Sequence, residues 1–323
     1  VALGAGRSPD NSDLTLAQTI NHTLDAALAA HPRLLVFGED VGAKGGVYGV
    51  TRGLQRRHGS GRVFDTELDE QGILGLALGS GLNGFLPVPE IQYLAYLHNA
   101  EDQLRGEAAT LSFFSQGRYR NPMVVRIASY AYQKGFGGHF HNDNSVAVLR
   151  DIPGLVIASP SHPADAGPML RTCLAAAEID GAVCVFLEPI ARYHTTDLYA
   201  EGDSAWLAAP HDDHVPPGRA RTHGDGGDLT IVSWANGLWM SLRVGRRLQD
   251  ALGIGCRVLA LRWLAPLPID DLLREACATG GCLIVDETRR TGGVSEALIT
   301  ALVEGGFDGR MARVAAHDSV VPL

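Results

Sequence analysis

Carboxyl and imidazole side chains are the commonest proton carriers in protein chemistry, and two segments of this chain concentrate them among glycines. The first runs Asp69-Glu70-Gln71-Gly72-Ile73-Leu74-Gly75-Leu76-Ala77-Leu78-Gly79-Ser80-Gly81. Acidic residues favour the positive end of a helix, which by itself accounts for Asp69 and Glu70. The glycines need more: Gly72, Gly75, Gly79 and Gly81 each cost up to about 1 kcal/mol relative to alanine inside a helix, so something must approach that helix closely. The second segment, Gly135-Phe136-Gly137-Gly138-His139-Phe140-His141-Asn142-Asp143-Asn144-Ser145, is polar and lies between two predicted strands, as active-site loops commonly do. Its imidazoles can move a proton near neutral pH. The His-x-His spacing also suggests a metal, but no Cys, Asp or Glu cluster of tetrahedral spacing accompanies it, and an exposed loop without chemistry is the plain alternative.

Apolar periodicity supplies the elements that must position these groups. Leu16, Ile20, Leu24 and Ala27 fall at helical spacing within Ser12 to Ala30, and the run Leu34 to Phe37 reads as a buried strand. A helix is expected over about Glu70 to Asn83, a strand over Val88 to Gln92 and a helix over His98 to Phe114. Further strands are expected at Met123 to Ile127, Leu155 to Ala158 and Val183 to Leu187. Strands alternating with helices imply a parallel sheet covered on both faces. A stretch rich in His, Asp, Pro and Gly follows Pro189, and beyond it a second series appears: strands from Leu229, Arg257 and Leu283, helices from Leu238, Ile269 and Val294. The organisation is therefore a tail over 1–12, an α/β domain over 13–190, a linker over 191–228 and a smaller α/β domain over 229–323. Asp286, Glu287, Arg289 and Arg290 read as a solvated turn after a buried strand.

Composition narrows the class. With 46% hydrophobic and 20% charged residues over 323 positions, this is an ordinary globular protein. No run of 18 apolar residues occurs, and Val1 to Arg7 is too short and glycine-rich for a signal peptide. No membrane association is expected, and a cytoplasmic location is, or the mitochondrial matrix in a eukaryote. A chain opening on Val1 fits removal of an initiator methionine or a piece of a longer fused chain. Five cysteines without a CxxC pair argue against a disulfide framework or a zinc site. A net charge of −9, from 27 basic and 36 acidic residues, argues against a nucleic-acid partner.

Taken in order, Val36-Phe37-Gly38-Glu39-Asp40-Val41-Gly42, Phe64 to Gly84, Pro87-Val88-Pro89-Glu90-Ile91-Gln92, Ala100-Glu101-Asp102-Gln103, Pro153 to Pro160, Phe186-Leu187-Glu188-Pro189 and Val285 to Gly293 form a specific set. Over Leu14 to Leu323 the chain resembles the β subunit, or β-type half, of the thiamine-diphosphate-dependent decarboxylating component of 2-oxo acid dehydrogenase complexes. The resemblance implies a pyrimidine-binding fold followed by a transketolase C-terminal-type domain. It implies that Glu70 hydrogen-bonds the pyrimidine ring nitrogen and exchanges a proton there. Tyr96 falls where the family stacks an aromatic ring on the cofactor, and Gln92 at a further active-site position. His141 best matches the loop histidine facing substrate, with His139 its rival and Asn142 beside it; the family's usual His-Ser-Gln continuation is here His141-Asn142-Asp143-Asn144.

Gly224-Asp225-Gly226 looks like the opening of the diphosphate-binding motif. It precedes a strand rather than a helix, and no asparagine lies near position 250. No metal ligand is therefore assigned to this chain. The resemblance places the Mg2+ and diphosphate ligands on an α-type subunit or fused half, in a dimer of such pairs that serves a lipoyl-bearing acyltransferase core. The expected reaction is oxidative decarboxylation of pyruvate or a branched-chain 2-oxo acid with acyl transfer to lipoamide. The alternatives are a transketolase-like carbon-carbon ligase and a non-catalytic assembly subunit.

Overall fold

The computed structural model describes residues 12–130 and 138–321. The expected tail before residue 12, Gly135-Phe136-Gly137 of the histidine loop, and residues 322–323 lie outside the described residues. Strands in chain order are β1 (Leu34–Gly38), β2 (Val63–Asp65), β3 (Leu86–Ile91), β4 (Met123–Ser129), β5 (Leu155–Ala158), β6 (Val183–Pro189), β7 (Arg221–His223), β8 (Leu229–Ser233), β9 (Cys256–Ala260), β10 (Trp263–Ala265), β11 (Gly281–Arg289) and β12 (Arg310–Ala316). Helices are α1 (Leu16–Ala30), α2 (Leu54–His58), α3 (Glu70–Leu82), α4 (Leu94–Leu97), α5 (Leu111–Phe114), α6 (Ala147–Arg150), α7 (Pro163–Asp180), α8 (Ala235–Leu252), α9 (Ile269–Thr279) and α10 (Val294–Glu304).

Seven strands form the first sheet in the order β10-β5-β6-β4-β3-β1-β2, and five form the second as β12-β11-β8-β9-β7. Every pairing is parallel except those of β10 and β7, which run antiparallel at sheet edges. Strands β1, β3, β4 and β6 are buried along their whole length, which is why their sequences are nearly continuous apolar runs rather than alternating ones. Alternate residues nonetheless feed different faces. Val36, Val88 and Val124 join the layer under α1 and α7, whereas Phe37, Val125 and Ile127 join the layer under α3, which continues into the second domain through Val232, Leu259, Ile284 and Leu298.

Three expectations change. Trp263, fully buried, pairs with Ala158, so the second domain contributes an edge strand to the first sheet and the two do not separate at one linker. The interval 191–228 also contains β7, which pairs with β9, and the fully buried Trp206. The expected helix from His98 to Phe114 is broken into a 3-10 turn at His98–Ala100, a π-helical turn at Gln103–Ala108 and α5. Such irregular turns often mark functional positions, and here the segment begins against the site described below. Helix α7 has no counterpart in the apolar-pattern reading because Pro163, Gly167 and Pro168 occupy its first turns; proline at the first helical position is compatible with a helix, and the internal Pro168 forgoes one backbone bond.

The centre of the first sheet holds a charge cluster. Arg126 on β4 donates to Glu90 of β3 (Nη1 to Oε2, 2.7 Å) and through Nε and Nη2 to Glu188 of β6 (2.7 and 3.0 Å), and Tyr193 donates to the same Glu188 (2.6 Å). The Arg126 and Glu188 side chains are each 1% exposed. Burial drives the Glu90 carboxyl upward, and Glu188 adds to this against the opposing pull of Arg126. Removing one member of a buried ionic cluster strands the others and costs roughly 3–5 kcal/mol. Arg126→Met is therefore expected to lower unfolding free energy by about that amount in denaturant titrations; a loss below about 1 kcal/mol would mean that water reaches the cluster.

Candidate active site

Thr66 N–H continues the β1–β2 pairing by donating to the Gly38 carbonyl (3.0 Å), and a short turn in which Asp69 N–H donates to the Glu67 carbonyl (2.9 Å) then leads into α3 at Glu70. Gly38, at the end of β1, is required there: a Cβ would lie 2.5 Å from the Glu90 carbonyl oxygen. That close approach carries the chain directly into Glu39, which is buried and lies near the Glu70 carboxyl. Glu39 Oε2 is buried with no partner among the described residues. Burial first, and the Glu70 carboxyl second, push Glu39 up to about 7. Two carboxyls this close do not both ionise readily.

The other wall comes from the segment after β3. Gln92 follows the strand directly and is half-buried. Tyr93 is buried, and α4 brings Tyr96 to within 2.9 Å of His141 (hydroxyl to Nε2). The His141 ring also sits edge-on to Tyr93, at 4.8 Å and 83°, and the Tyr48 hydroxyl donates to that of Tyr93 (3.1 Å). Farther along the same segment, the Asn99 amide donates to Glu70 Oε2 (3.1 Å) and His98 Nε2 meets Asp143 Oδ2 (3.0 Å). One short stretch, 96–99, therefore contacts the carboxyl, the histidine and the histidine's loop. This ties together groups that are 29 to 45 residues apart in sequence.

Of the residues singled out from sequence, Glu70, Tyr96 and His141 take part in this constellation. His139 does not join it: it is exposed, its ring 4.0 Å from that of Phe140. Asn142 is buried and its amide donates to the Gly138 carbonyl (2.9 Å), fastening the turn. Glu39, Tyr93, His98 and Asn99 were not selected from sequence, although a glutamate directly after a wholly apolar strand is a usable signal. Gly224-Asp225-Gly226 is a turn between β7 and β8 in which a Cβ on Gly226 would lie 2.2 Å from the backbone of Gly255, so packing explains its glycines. Among the described residues no three His, Cys, Asp or Glu side chains are grouped so as to hold a metal ion.

The glycines of α3 divide into two sets. A Cβ on Gly72 would lie 2.6 Å from Asp69 Oδ2, and one on Gly81 3.0 Å from the Pro122 carbonyl oxygen. Gly75 and Gly79 meet nothing within 4 Å. They lie on a face with exposed Leu76 and Leu82, next to exposed Phe85.

The Glu39 shift has a measurable sign. A carboxyl raised from 4.5 to about 7 by folding contributes stability that is complete below pH 4.5 and lost as pH rises through 7. Unfolding free energy is expected to carry a downward component across this interval, and Glu39→Gln is expected to lack it. Identical slopes in the two proteins, measured by denaturant titration at several pH values, would rule out the coupling.

Residues 12–192 match the transketolase pyrimidine-binding domain family and residues 218–323 the transketolase C-terminal domain family. The chain is 34% identical over 321 residues to the pyruvate dehydrogenase E1 component subunit beta of Staphylococcus epidermidis, covering 97% of this chain and 92% of the relative. It is 32% identical, with the same coverage, to the subunit of that name from Bacillus subtilis (strain 168). Among solved structures, a split-gene transketolase in an inactive beta4 tetramer aligns with a TM-score of 0.72 at 19% identity, covering 95% of this chain and 91% of that one, which shows the shared fold.

Proposed function

The chain belongs to the transketolase-type family that contains the pyruvate dehydrogenase E1 component β subunits, and from that premise we propose that it supplies the aminopyrimidine half of a thiamine diphosphate site for oxidative decarboxylation of a 2-oxo acid. The observation carrying this reading is that one short segment brings together Glu70, through Asn99, and the Tyr96–His141 pair, with buried Glu39 alongside. When bound, thiamine diphosphate supplies the electron sink for loss of carbon dioxide. The residues present fit its ring end. Glu70 would hold a proton at the ring nitrogen, with buried Glu39 beside it, and the Tyr96 ring would support the cofactor's aromatic face. Gln92, half-buried beside Tyr93, adds an amide to the same wall. His141, oriented by the Tyr96 hydroxyl, donates or accepts a proton at the reacting carbonyl.

The substrate class is pyruvate or a branched-chain 2-oxo acid, with transfer of the acyl group to lipoamide on an acyltransferase core. The Mg2+ and diphosphate ligands belong to an α-type subunit or fused half. The open Gly75/Gly79 face of α3, with Leu76, Leu82 and Phe85 around it, supports a close helical contact in such an assembly, because small residues let backbones approach. The test is co-expression with an α-type chain and assay of the purified complex, with thiamine diphosphate and Mg2+, on a panel of straight and branched 2-oxo acids. Decarboxylation of one class with reduction of lipoamide is the expected result. Transfer of a two-carbon unit between sugar phosphates instead would overturn it.

A further inference from the structure

The loop that carries His141 is held from two sides, and only one of them belongs to the first domain. From that domain come the His98 contact to Asp143 Oδ2 and the Tyr96 hydroxyl. From the second domain comes Arg289, whose Nη1 donates to Ser145 Oγ (2.8 Å) and Nη2 to Asp143 Oδ1 (3.2 Å). Ser145 Oγ itself donates to Asp143 Oδ1 (2.8 Å), and the Asn144 amide donates to the Glu287 carbonyl (3.0 Å). Three consecutive residues of the loop, beginning two positions after His141, are thus tied to the end of β11.

That anchor is itself rigid. Asp286 is buried and accepts from Thr288 N–H, the Thr288 hydroxyl and Ser295 N–H at the start of α10 (2.7, 2.6 and 2.8 Å). Glu287 accepts from both the backbone and the amide of Asn236 (3.1 and 2.9 Å), and Arg289 Nε donates to the Ser319 carbonyl (3.1 Å). The expected solvated turn is therefore a packed strand end. A guanidinium fork suits the position because it satisfies two acceptors and a third carbonyl at fixed angles, which an ammonium cannot. Asp143 is 8% exposed. Burial opposes its charge, but His98, Ser145 and Arg289 together hold its carboxyl at about 2, so the contact persists across the working pH range.

We infer that Arg289 is a positioning residue for the reaction, reaching from the second domain through Asp143 and Ser145 to keep the His141 loop seated against Tyr96. The inference rests on the role proposed for His141, and the two are separable by a mutant cycle in the assembled complex. Arg289→Ala is expected to lower kcat about 10-fold with KM within about twofold, the size of a typical coupling between contacting residues. Arg289→Lys, which keeps the charge and can reach one acceptor, is expected to recover part of the loss.

Because Arg289 acts through His141, adding Arg289→Ala to His141→Ala is expected to cost nothing further. Hydrogen exchange over 141–146 is expected to rise in Arg289→Ala while that of α3 stays unchanged. Multiplying losses in the double variant, or unchanged exchange over 141–146, would overturn the positioning role. If His141→Ala alone leaves kcat and KM intact, the role proposed for His141 fails and the inference falls with it. A large His141→Ala effect with independent Arg289 losses removes the inference alone.

Discussion

Glu70→Gln is expected to abolish decarboxylation in the assembled complex while leaving assembly and thermal stability close to those of the parent protein. The carboxyl sits at the first residue of α3, half-exposed, with Asn99 donating to Oε2 and Glu39 alongside. Glutamine keeps the volume and one carbonyl acceptor, so the Asn99 contact survives. It also relieves the crowding with Glu39, so no stability is lost on that account. What glutamine cannot do is release and regain a proton at the ring nitrogen, and loss of a positioned acid–base group typically costs about 100- to 10,000-fold in rate. The measurement is kcat and kcat/KM on the preferred 2-oxo acid, with size-exclusion chromatography to show that the complex persists. Activity within about twofold of the parent, far inside that range, would remove Glu70 from the chemistry.

Glu70 could be singled out in the sequence because an acidic start and a glycine-studded apolar run lie within a dozen residues, while the role proposed for it rests on the resemblance. The strands were legible for a similar reason, since burial on both faces leaves long apolar runs such as those of β1, β4 and β6. Glu39 was not, because its burial depends on the approach of Gly38 to the Glu90 backbone across two paired strands. His98 and Asn99 were hidden inside what reads as an ordinary helix; they lie instead in a 3-10 turn whose side chains meet Asp143 and Glu70, contacts far away in sequence.

Choosing between His139 and His141 likewise needed the chain folded, since their spacing places both in one loop and only His141 lies against Tyr93 and Tyr96. Strand β12 escaped because it is largely exposed and carries no continuous apolar run, and β10 because three residues, Trp263-Leu264-Ala265, are too few to establish a period.

The isolated chain is expected to bind thiamine diphosphate weakly, and to gain at least about 100-fold in affinity, or 2.7 kcal/mol, when an α-type partner is present. The reason lies in where the charge is. Diphosphate and Mg2+ carry most of the charge of the bound group, and among the described residues no cluster of acidic or imidazole side chains is placed to hold the ion. The site's own ionisable groups at the ring end, Glu39 and Glu70, are carboxyls and offer a diphosphate no positive charge. At the ring end, stacking on Tyr96 contributes about 0.5–1.5 kcal/mol and each hydrogen bond about as much. Association costs on the order of 4–15 kcal/mol in lost translational and rotational freedom, so these contacts alone do not give tight binding. Calorimetric titration of cofactor with Mg2+ into the chain, with and without the partner, reads the difference directly. Glu70→Gln is expected to weaken binding to the complex by far less than removal of the partner does, because it alters one hydrogen bond and leaves the diphosphate untouched. Submicromolar, Mg2+-dependent binding by the chain alone would place a complete cofactor site within it and favour a self-contained transketolase-like enzyme.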